Sequence, residues 1–449
     1  MAHPVKLIRS DALTALRGMP DGVIHCAVTS PPYWGQREYI AGEDPDCLGN
    51  EDNPKLYIDR LVAIFREVKR VLVKAGKGTR SGVLWINICD TIASHRSVER
   101  DYIQGSTVYG TEHKKTYQTT EFPPEWGIPE KSLVGIPFRL ANALVADGWV
   151  WRAVVPWLKT QGNPISAHPA KPPPGFEWLM MFAPDTPNFY DEYAAMVHTE
   201  KWVGPRVRRD SDAWLESVKG LIEQESPVEP YLTPLGMRVG TAAGESVHRA
   251  RFSESLVRPL IETSCPRAAC SKCHAGWKRI SESVAKEYKG QMVSVRNTLG
   301  WMPSCACGAP PKRAVVLDPF AGTATTCRAA LRANRAAVGI ELSETYLEEA
   351  RALLEGVEPE ETIPERYEGR VPKRGEDKDK GFTRYRTRDI VKREEAQGGV
   401  ESPARPPVKP KSGDFPDQGP TAAEIAESAR AAFRVAPITR EDFLAALQG

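Results

Sequence analysis

The chain has 449 residues, of which 41% are hydrophobic and 26% charged, with a formal net charge of +2. This composition is typical of a soluble protein with one large or two to three ordinary domains, and the small net charge excludes a global basic field for nucleic acid. No apolar run approaches the ~20 residues that span a bilayer, and the N-terminal residues lack the apolar core of a secretory signal. We therefore expect a cytoplasmic protein without a membrane partner.

The first part of the chain alternates strand-like and helix-like patterns. Residues 5–28 predict a strand, a short helix and a second strand, and residues 56–75 place apolar side chains at helical spacing. The run SGVLWINICD predicts a strand that ends at Asp90, and the polar residues 94–131 predict a long inserted loop. LVGIPFRLANALVADGW predicts a helix, followed by the strands VWRAVVPWLK and GFEWLMMFAP.

The later part of the chain changes character twice. Residues 188–250 lack clear periodicity, whereas residues 313–356 predict strand, turn, helix, strand and helix. Such a βαβ unit is right-handed by default and indicates a parallel sheet in an α/β fold. Residues 357–420 are rich in Pro, Gly and charge, which predicts disorder, and two short helices are expected in 421–449.

A small-residue turn, VVLDPFAGTATT, lies within this βαβ unit. Small residues allow the backbone to approach a ligand at the carboxyl end of a parallel strand, where the next helix offers free amides. The turn is neither a Walker loop nor a G-x-G-x-x-G motif, so phosphate binding is not indicated. The following strand ends in Glu341, where a carboxylate can accept both hydroxyls of a ribose.

Five cysteines crowd into residues 265–307. Cys270-x-x-Cys273 and Cys305-x-Cys307 are separated by 31 residues and match two pairs of thiolate ligands for a tetrahedral structural zinc ion. Cys265 or His274 are alternatives for one ligand, and reduced, unliganded thiols are the alternative to a metal site. No water-activating acid lies beside the cysteines, so a catalytic zinc is not indicated.

A second turn, TSPPYW, follows the strand GVIHCAV near the start of the chain. Together with LDPFAGTATT it resembles the amino-methylating DNA methyltransferases, and the order of the turns resembles their beta group. The resemblance covers about residues 5–356 and includes GVLWINICD and the helix and strands that follow it. It implies a permuted, Rossmann-like class I methyltransferase sheet that uses S-adenosylmethionine. A cysteine-bearing insertion also resembles some phage and prophage members.

This resemblance predicts a division of the chain into functional segments. The expected segments are a catalytic half (1–187, with the loop insertion 94–131), a target-recognition region (188–250), a cofactor-contacting helix (251–264), a zinc insertion (265–312), an S-adenosylmethionine-binding half (313–356), a disordered basic linker (357–420) and short C-terminal helices (421–449).

The resemblance also implies which residues bind the cofactor. In the family the acid matched by Asp11 contacts the adenine, HRARFSESLVRPLI passes the methionine end, and Glu341 matches the ribose carboxylate. Ser253 stands where the family usually has proline, and Ala324 where glycine is common. The implied cofactor-binding residues are Asp11, Thr29, Phe252, Ser253, Leu256, Asp318, Pro319, Phe320, Ala321, Gly322, Thr323, Thr325 and Glu341.

The TSPPYW turn supplies the groups that methyl transfer to a base amine needs. An exocyclic amine is a poor nucleophile because its lone pair is delocalised into the base. The Ser30 hydroxyl and the Pro31 carbonyl can accept the two amino hydrogens, and Pro31 and Pro32 keep these acceptors rigid. Tyr33 offers a face for the extruded base, with Trp34 as a weaker candidate. We expect direct methyl transfer without a covalent enzyme intermediate.

The serine at position 30 favours cytosine-N4 as the target, with adenine-N6 as the alternative. Double-stranded DNA is the expected partner, and Arg206, Arg208 and Arg209 are candidate phosphate contacts in the target-recognition region. A cognate restriction endonuclease is a further candidate partner. The competing hypotheses are an inactive zinc-containing DNA-binding protein and a methyltransferase for RNA or protein glutamine.

Overall fold

The computed structural model describes the core of the chain but not all of it. The described residues are 4–34, 48–76, 78–93, 126–129, 131–159, 176–191, 194, 231–233, 236–239, 252–288, 291–360, 362–364 and 366–369. Arg206, Arg208 and Arg209 lie outside this set, as do most of the 94–131 insertion and residues 370–449. No helix in the described part combines the length and apolarity needed to cross a membrane.

Helices and strands alternate along the described chain. Their bounds are β1 Val5–Arg9, α1 Ala12–Arg17, β2 Cys26–Thr29, α2 Pro54–Val71, β3 Val83–Ile88, α3 Ile136–Ala146, β4 Val150–Lys159, β5 Phe176–Ala183, β6 Tyr231–Thr233, β7 Gly236–Val239, α4 Glu254–Ser264, β8 Ala269–Cys270, β9 Lys278–Tyr288, β10 Gln291–Met302, β11 Pro311–Lys312, β12 Val315–Asp318, α5 Thr325–Arg332, β13 Ala336–Glu341 and α6 Glu344–Leu354.

A nine-stranded sheet has the order β1-β13-β12-β2-β3-β5-β4-β7-β6. The first five strands of this order are parallel, and β5 is inserted antiparallel between β3 and β4. The predicted α/β class and the permuted order are confirmed: the strands of the TSPPYW half come first in the chain, and β12 and β13, which carry the other turn, come last. Two further strand pairs, β9–β10 and β8–β11, form separate small sheets.

The centre of the sheet joins residues that are distant in the chain. Val316 of β12 pairs with Cys26 of β2, in parallel. On the other side of β12, strand β13 pairs with β1 so that Glu341 faces Arg9. Because parallel strands end at the same edge, the residues that follow β1, β2, β12 and β13 meet there.

Helices cover both faces of the sheet and bury two clusters of apolar side chains. One cluster contains residues of α1, α2 and α3, including Leu16, Leu61 and Leu140. The other contains residues of α4, α5 and α6, including Leu260 and Leu331. This three-layer arrangement fixes the sheet edge on which the two turns lie.

Among the described residues, 282–288 and 291–297 belong to a second, smaller unit. These residues lie in β9 and β10, a strand pair that the sequence patterns did not predict.

Candidate active site

Asp318, the last residue of β12, is the buried anchor of the small-residue turn. Its Oδ1 accepts hydrogen bonds from Thr29 Oγ1 at 2.7 Å and from the Phe320 amide at 3.1 Å, and its Oδ2 accepts one from Thr326 Oγ1 at 2.6 Å. Burial raises the pKa of Asp318 to about 6, although these donors oppose the shift. Thr29 ends β2, so Asp318 connects the two turns directly.

Glu341 holds the other side of the same turn. Its Oε2 accepts the Gly322 amide at 2.8 Å, and its Oε1 accepts the amides of Leu342 and Ser343 at 2.9 and 2.8 Å. Burial raises the pKa of Glu341, while the three amides favour its charged form. The carboxylate therefore lies at the rim of the turn, where the sequence predicted a ribose contact.

The turn itself depends on small residues and on left-handed backbone. Gly322 has a φ of 51° and Ala324 a φ of 61°. A side chain at Gly339 on β13 would lie 2.9 Å from Ala321 Cβ and from Cys327 Sγ, so strand and turn are in close contact. The positive φ of Ala324 is the physical reason why glycine suits this position, since alanine costs about 1 kcal/mol in that region.

Two buried hydroxyls lack hydrogen-bond partners among the described residues. They are Ser253 Oγ, at the N-terminus of α4, and Thr323 Oγ1, in the turn before α5. An unpaired buried hydroxyl is costly, and it is expected where a polar ligand completes the bonding. Phe252 is half-buried beside Ser253, whereas Leu256 is packed within the apolar cluster. The unpaired hydroxyls of Ser253 and Thr323 fit the polar methionine end of the predicted cofactor, whereas Leu256 is buried away from it.

Asp11 lies at the same sheet edge but has a structural role as well. Its Oδ1 accepts the Thr14 amide at 2.9 Å and caps α1. The preceding amide, of Ser10, donates to the Glu341 carbonyl at 3.2 Å. Asp11 therefore directly follows a residue whose backbone is hydrogen-bonded to Glu341.

The TSPPYW turn is fixed through its backbone carbonyls. Tyr57 Oη donates to the Pro32 carbonyl at 2.8 Å, and Thr91 Oγ1 donates to the Trp34 carbonyl at 3.0 Å. No described residue donates to the Pro31 carbonyl, which the sequence assigned to the amino group of the substrate. The prolines and these two bonds make the turn a rigid platform.

Tyr33 is held by a carboxylate that the sequence patterns did not single out. Its hydroxyl donates to Glu177 Oε2 at 2.7 Å, and Asn87 Nδ2 donates to the same oxygen at 2.8 Å. Ser30 Oγ in turn donates to the Tyr33 hydroxyl at 3.4 Å. Burial and the Glu177 carboxylate raise the pKa of Tyr33 well above its usual value. The signal for Glu177 was a lone acid in the otherwise apolar run FEWLMMFA.

Trp34 does not offer a stacking surface, which corrects the weaker of the two predictions for the base. The side chain is only 2% exposed, and its Nε1 donates to the Glu51 carbonyl at 2.8 Å. Arg60 and the Gly49 amide bind the Glu51 carboxylate and hold this loop. Trp34 therefore packs beneath the turn, and Tyr33 is the remaining aromatic candidate.

Four cysteines converge as the spacing predicted. The sulfur atoms of Cys270, Cys273, Cys305 and Cys307 all lie within 4.8 Å of one another, and neither Cys265 nor His274 belongs to this group. Burial alone raises the pKa of a thiol, but backbone amides that include those of Cys273 and Lys272 lower the pKa of Cys270 to about 7. The donor set fits a tetrahedral thiolate site.

His25 connects the cysteine segment to the sheet. Its Nδ1 accepts the Val315 amide at 3.0 Å, and its Nε2 lies 2.8 Å from the carbonyl of His274, which follows Cys273. Burial lowers the pKa of His25 to about 3, so the ring is neutral and Nε2 is the donor. His25 and Val315 lie where β2 and β12 begin, which places the cysteine segment at the edge opposite Ser30 and Asp318.

Comparison with known proteins identifies the family. The chain matches the DNA methylase family N6_N4_Mtase over residues 24–352. It belongs to this family. It is 31% identical to the type II methyltransferase M.XycI of Xanthomonas campestris pv. cyanopsidis over 353 residues, which cover 78% of this chain and 87% of the relative. It is 29% identical to M.Cfr9I of Citrobacter freundii, with the same shares covered.

Among solved structures, the PvuII DNA methyltransferase (cytosine-N4-specific) aligns with a TM-score of 0.43 and 14% identity, over 78% of this chain and 88% of that chain. Membership of the family makes the protein a DNA methyltransferase of the amino-methylating type, as the two turns predicted.

Proposed function

We propose that this DNA methyltransferase transfers a methyl group from S-adenosylmethionine to the N4 amino group of cytosine in double-stranded DNA. The observation that carries the proposal is the hydrogen bond between Thr29 and Asp318, which holds the TSPPYW turn beside the small-residue turn. A base amine bound at one turn then faces a methyl donor bound at the other. We propose that the protein acts in the cytoplasm on DNA.

The cofactor would be held by residues that end or follow the parallel strands β1, β12 and β13, together with Ser253 before α4. Glu341 would accept the ribose hydroxyls, Asp11 would contact the adenine, and the unpaired hydroxyls of Ser253 and Thr323 would bind the polar methionine end. S-adenosylmethionine supplies an electrophilic methyl group when it is bound. Asp318 would keep the turn in place rather than contact the cofactor, because its side chain is buried and bonded to Thr29 and Thr326, whereas Glu341 is only partly buried.

The catalytic turn acts on the amine. Ser30 Oγ and the Pro31 carbonyl accept its two hydrogens, which draws the nitrogen lone pair out of the ring and toward the methyl carbon. With the cofactor bound, the amino nitrogen would take the methyl group in line with the carbon–sulfur bond, the sulfur would leave with the bonding electrons as a neutral thioether, and the nitrogen would release one proton to solvent. Tyr33 stacks against the extruded base.

The four-cysteine cluster is proposed to bind a structural zinc ion, since all four ligands are thiolates and they lie at the edge opposite the turns. Arg206, Arg208 and Arg209 remain proposed phosphate contacts, and a restriction endonuclease of the same sequence specificity is a proposed partner.

The proposal is tested by identifying the methylated nucleoside. Purified protein is incubated with unmethylated plasmid DNA and S-adenosylmethionine, the DNA is digested, and nucleosides are quantified by mass spectrometry. We expect N4-methylcytosine. N6-methyladenine would instead establish the adenine alternative. The absence of any methylated nucleoside, together with no calorimetric binding of S-adenosylmethionine, would overturn the proposal and return the hypothesis of an inactive protein.

The role of the turn is tested with Ser30→Ala. We expect at least a 100-fold loss of the methylation rate with unchanged binding of S-adenosylmethionine. Ser132→Ala, which removes a hydroxyl from another turn, is the matched control and should stay active. Full activity of Ser30→Ala would overturn the proposed mechanism.

A further inference from the structure

Glu177 is a buried carboxylate, and burying a carboxylate costs free energy of solvation. It is 7% exposed on β5, and the residues that follow on the same face of the strand, Leu179 and Met181, are buried apolar side chains. A buried carboxylate is tolerated only when hydrogen bonds replace its water. The proposed mechanism gives Glu177 no task, so its position calls for an explanation.

The partners of Glu177 come from two different parts of the site. Asn87, on β3 and itself buried, donates from Nδ2 to Oε2, and the Tyr33 hydroxyl donates to the same oxygen. Both contacts present hydrogens to Glu177, which is the arrangement that an acceptor-only carboxylate requires. The raised pKa of Tyr33 keeps its hydroxyl protonated, so that it can donate.

The hydrogen bonds continue from Glu177 through the Tyr33 hydroxyl to Ser30. With the Tyr33 hydrogen directed to Glu177, the Tyr33 oxygen accepts from Ser30 Oγ, over 3.4 Å. This contact is long, and such bonds commonly tighten when substrate binds. The hydrogen of Ser30 is thereby turned toward Tyr33, and the lone pairs of Ser30 are free to accept an amino hydrogen of the base.

We propose that Glu177, supported by Asn87, is a positioning residue for methyl transfer. It orients the Tyr33 hydroxyl, fixes the plane of the ring that stacks on the base, and sets Ser30 as an acceptor. The proposal rests on the proposed function, because it assigns Glu177 a role only through Ser30 and Tyr33.

The test is a double-mutant cycle of Glu177→Gln and Tyr33→Phe, measured as kcat and as KM for S-adenosylmethionine. Glu177→Gln keeps the shape of the side chain but removes its charge. We expect kcat to fall 10- to 100-fold with KM within twofold of wild type. In the Tyr33→Phe background, where the hydroxyl is absent, Glu177→Gln should change kcat less than twofold.

Wild-type kcat in Glu177→Gln, or losses that multiply in the double variant, would overturn the inference. Thermal unfolding of each variant identifies a folding defect. If Glu177→Gln fails to fold, Tyr33→Phe still decides, because full kcat in that variant contradicts a role through the hydroxyl. An inactive wild-type enzyme would refute the proposed function instead, so the two failures are distinguishable.

Discussion

Thr29 Oγ1 donates a hydrogen bond to Asp318 Oδ1 over 2.7 Å, although the two residues are 289 positions apart in the chain. The bond is buried and links the end of β2 to the end of β12. It links the TSPPYW turn, which would bind the base, to the small-residue turn, which would bind the methyl donor. The distance between the two turns therefore depends on this hydrogen bond.

Removing this hydroxyl should weaken both folding and cofactor binding. Thr29→Val keeps the volume of the side chain but takes one donor from Asp318, and we expect a loss of about 1–3 kcal/mol in the free energy of unfolding. We also expect about tenfold weaker S-adenosylmethionine binding by calorimetry. Thr29→Ser, which retains the donor, is the control; equal behaviour of the valine variant and wild type would show that the bond is dispensable.

The raised pKa of Asp318 predicts a dependence of stability on pH. Between the usual value of 3.8 and about 6, the folded protein binds more protons at Asp318 than the unfolded chain does. The contribution of Asp318 to stability is therefore fully present below pH ~4, falls as the pH rises, and is lost above pH ~6.

Asp318→Asn removes this titration while keeping the shape of the side chain. Relative to wild type, we expect the variant to gain on the order of 2 kcal/mol in unfolding free energy between pH 4 and pH 7, measured by urea denaturation. The Thr326 hydroxyl can rotate toward the Val28 carbonyl to accommodate the amide. A difference between the two proteins that does not change with pH would contradict the prediction.

The cysteine cluster predicts metal content. Cys273→Ser should reduce bound zinc from about one equivalent per chain to near zero by atomic emission, and should lower the melting temperature by several degrees. Cys265→Ala is the matched control because Cys265 lies outside the cluster, and it should retain zinc. If Cys265→Ala lost zinc and Cys273→Ser retained it, Cys265 rather than Cys273 would be the zinc ligand.

His25 predicts a link between the cysteine segment and the sheet. His25→Leu leaves the Val315 amide and the His274 carbonyl without their side-chain partner, and we expect a loss of roughly 2–4 kcal/mol in unfolding free energy. Zinc should also pass to a chelator faster, since the turn after Cys273 is released. His25→Gln, which retains one donor and one acceptor, should lie between wild type and leucine in both measurements.

The parts of the fold that depend on local pattern were predictable from the sequence. The βαβ unit, the spacing from Asp318 to Glu341 and the grouping of four cysteines each follow from residues close together in the chain. The placement of the two turns at one sheet edge was also predictable, because each turn follows a strand of a parallel sheet.

The support of the site was not predictable because it comes from sheet order. Glu177 reaches Tyr33 only because β5 runs antiparallel beside β3, which also brings Asn87 to the same oxygen. Trp34 shows the converse difficulty. An aromatic residue after a turn can either stack on a ligand or pack into the core. Trp34 packs into the core, where its Nε1 donates to the Glu51 carbonyl, and this contact is not visible in the sequence.

The pairing of β2 with β12 has a consequence for biosynthesis. When β2 leaves the ribosome, the strand that will pair with one of its sides has not yet been made. At ordinary rates of translation, β12 follows roughly 15 to 60 s later. During that interval the apolar segment CAVT has an open hydrogen-bonding edge, which is a template for aggregation. Expression at low temperature or with a chaperone that shields such edges should therefore raise the yield of native enzyme more than it does for an unpermuted relative.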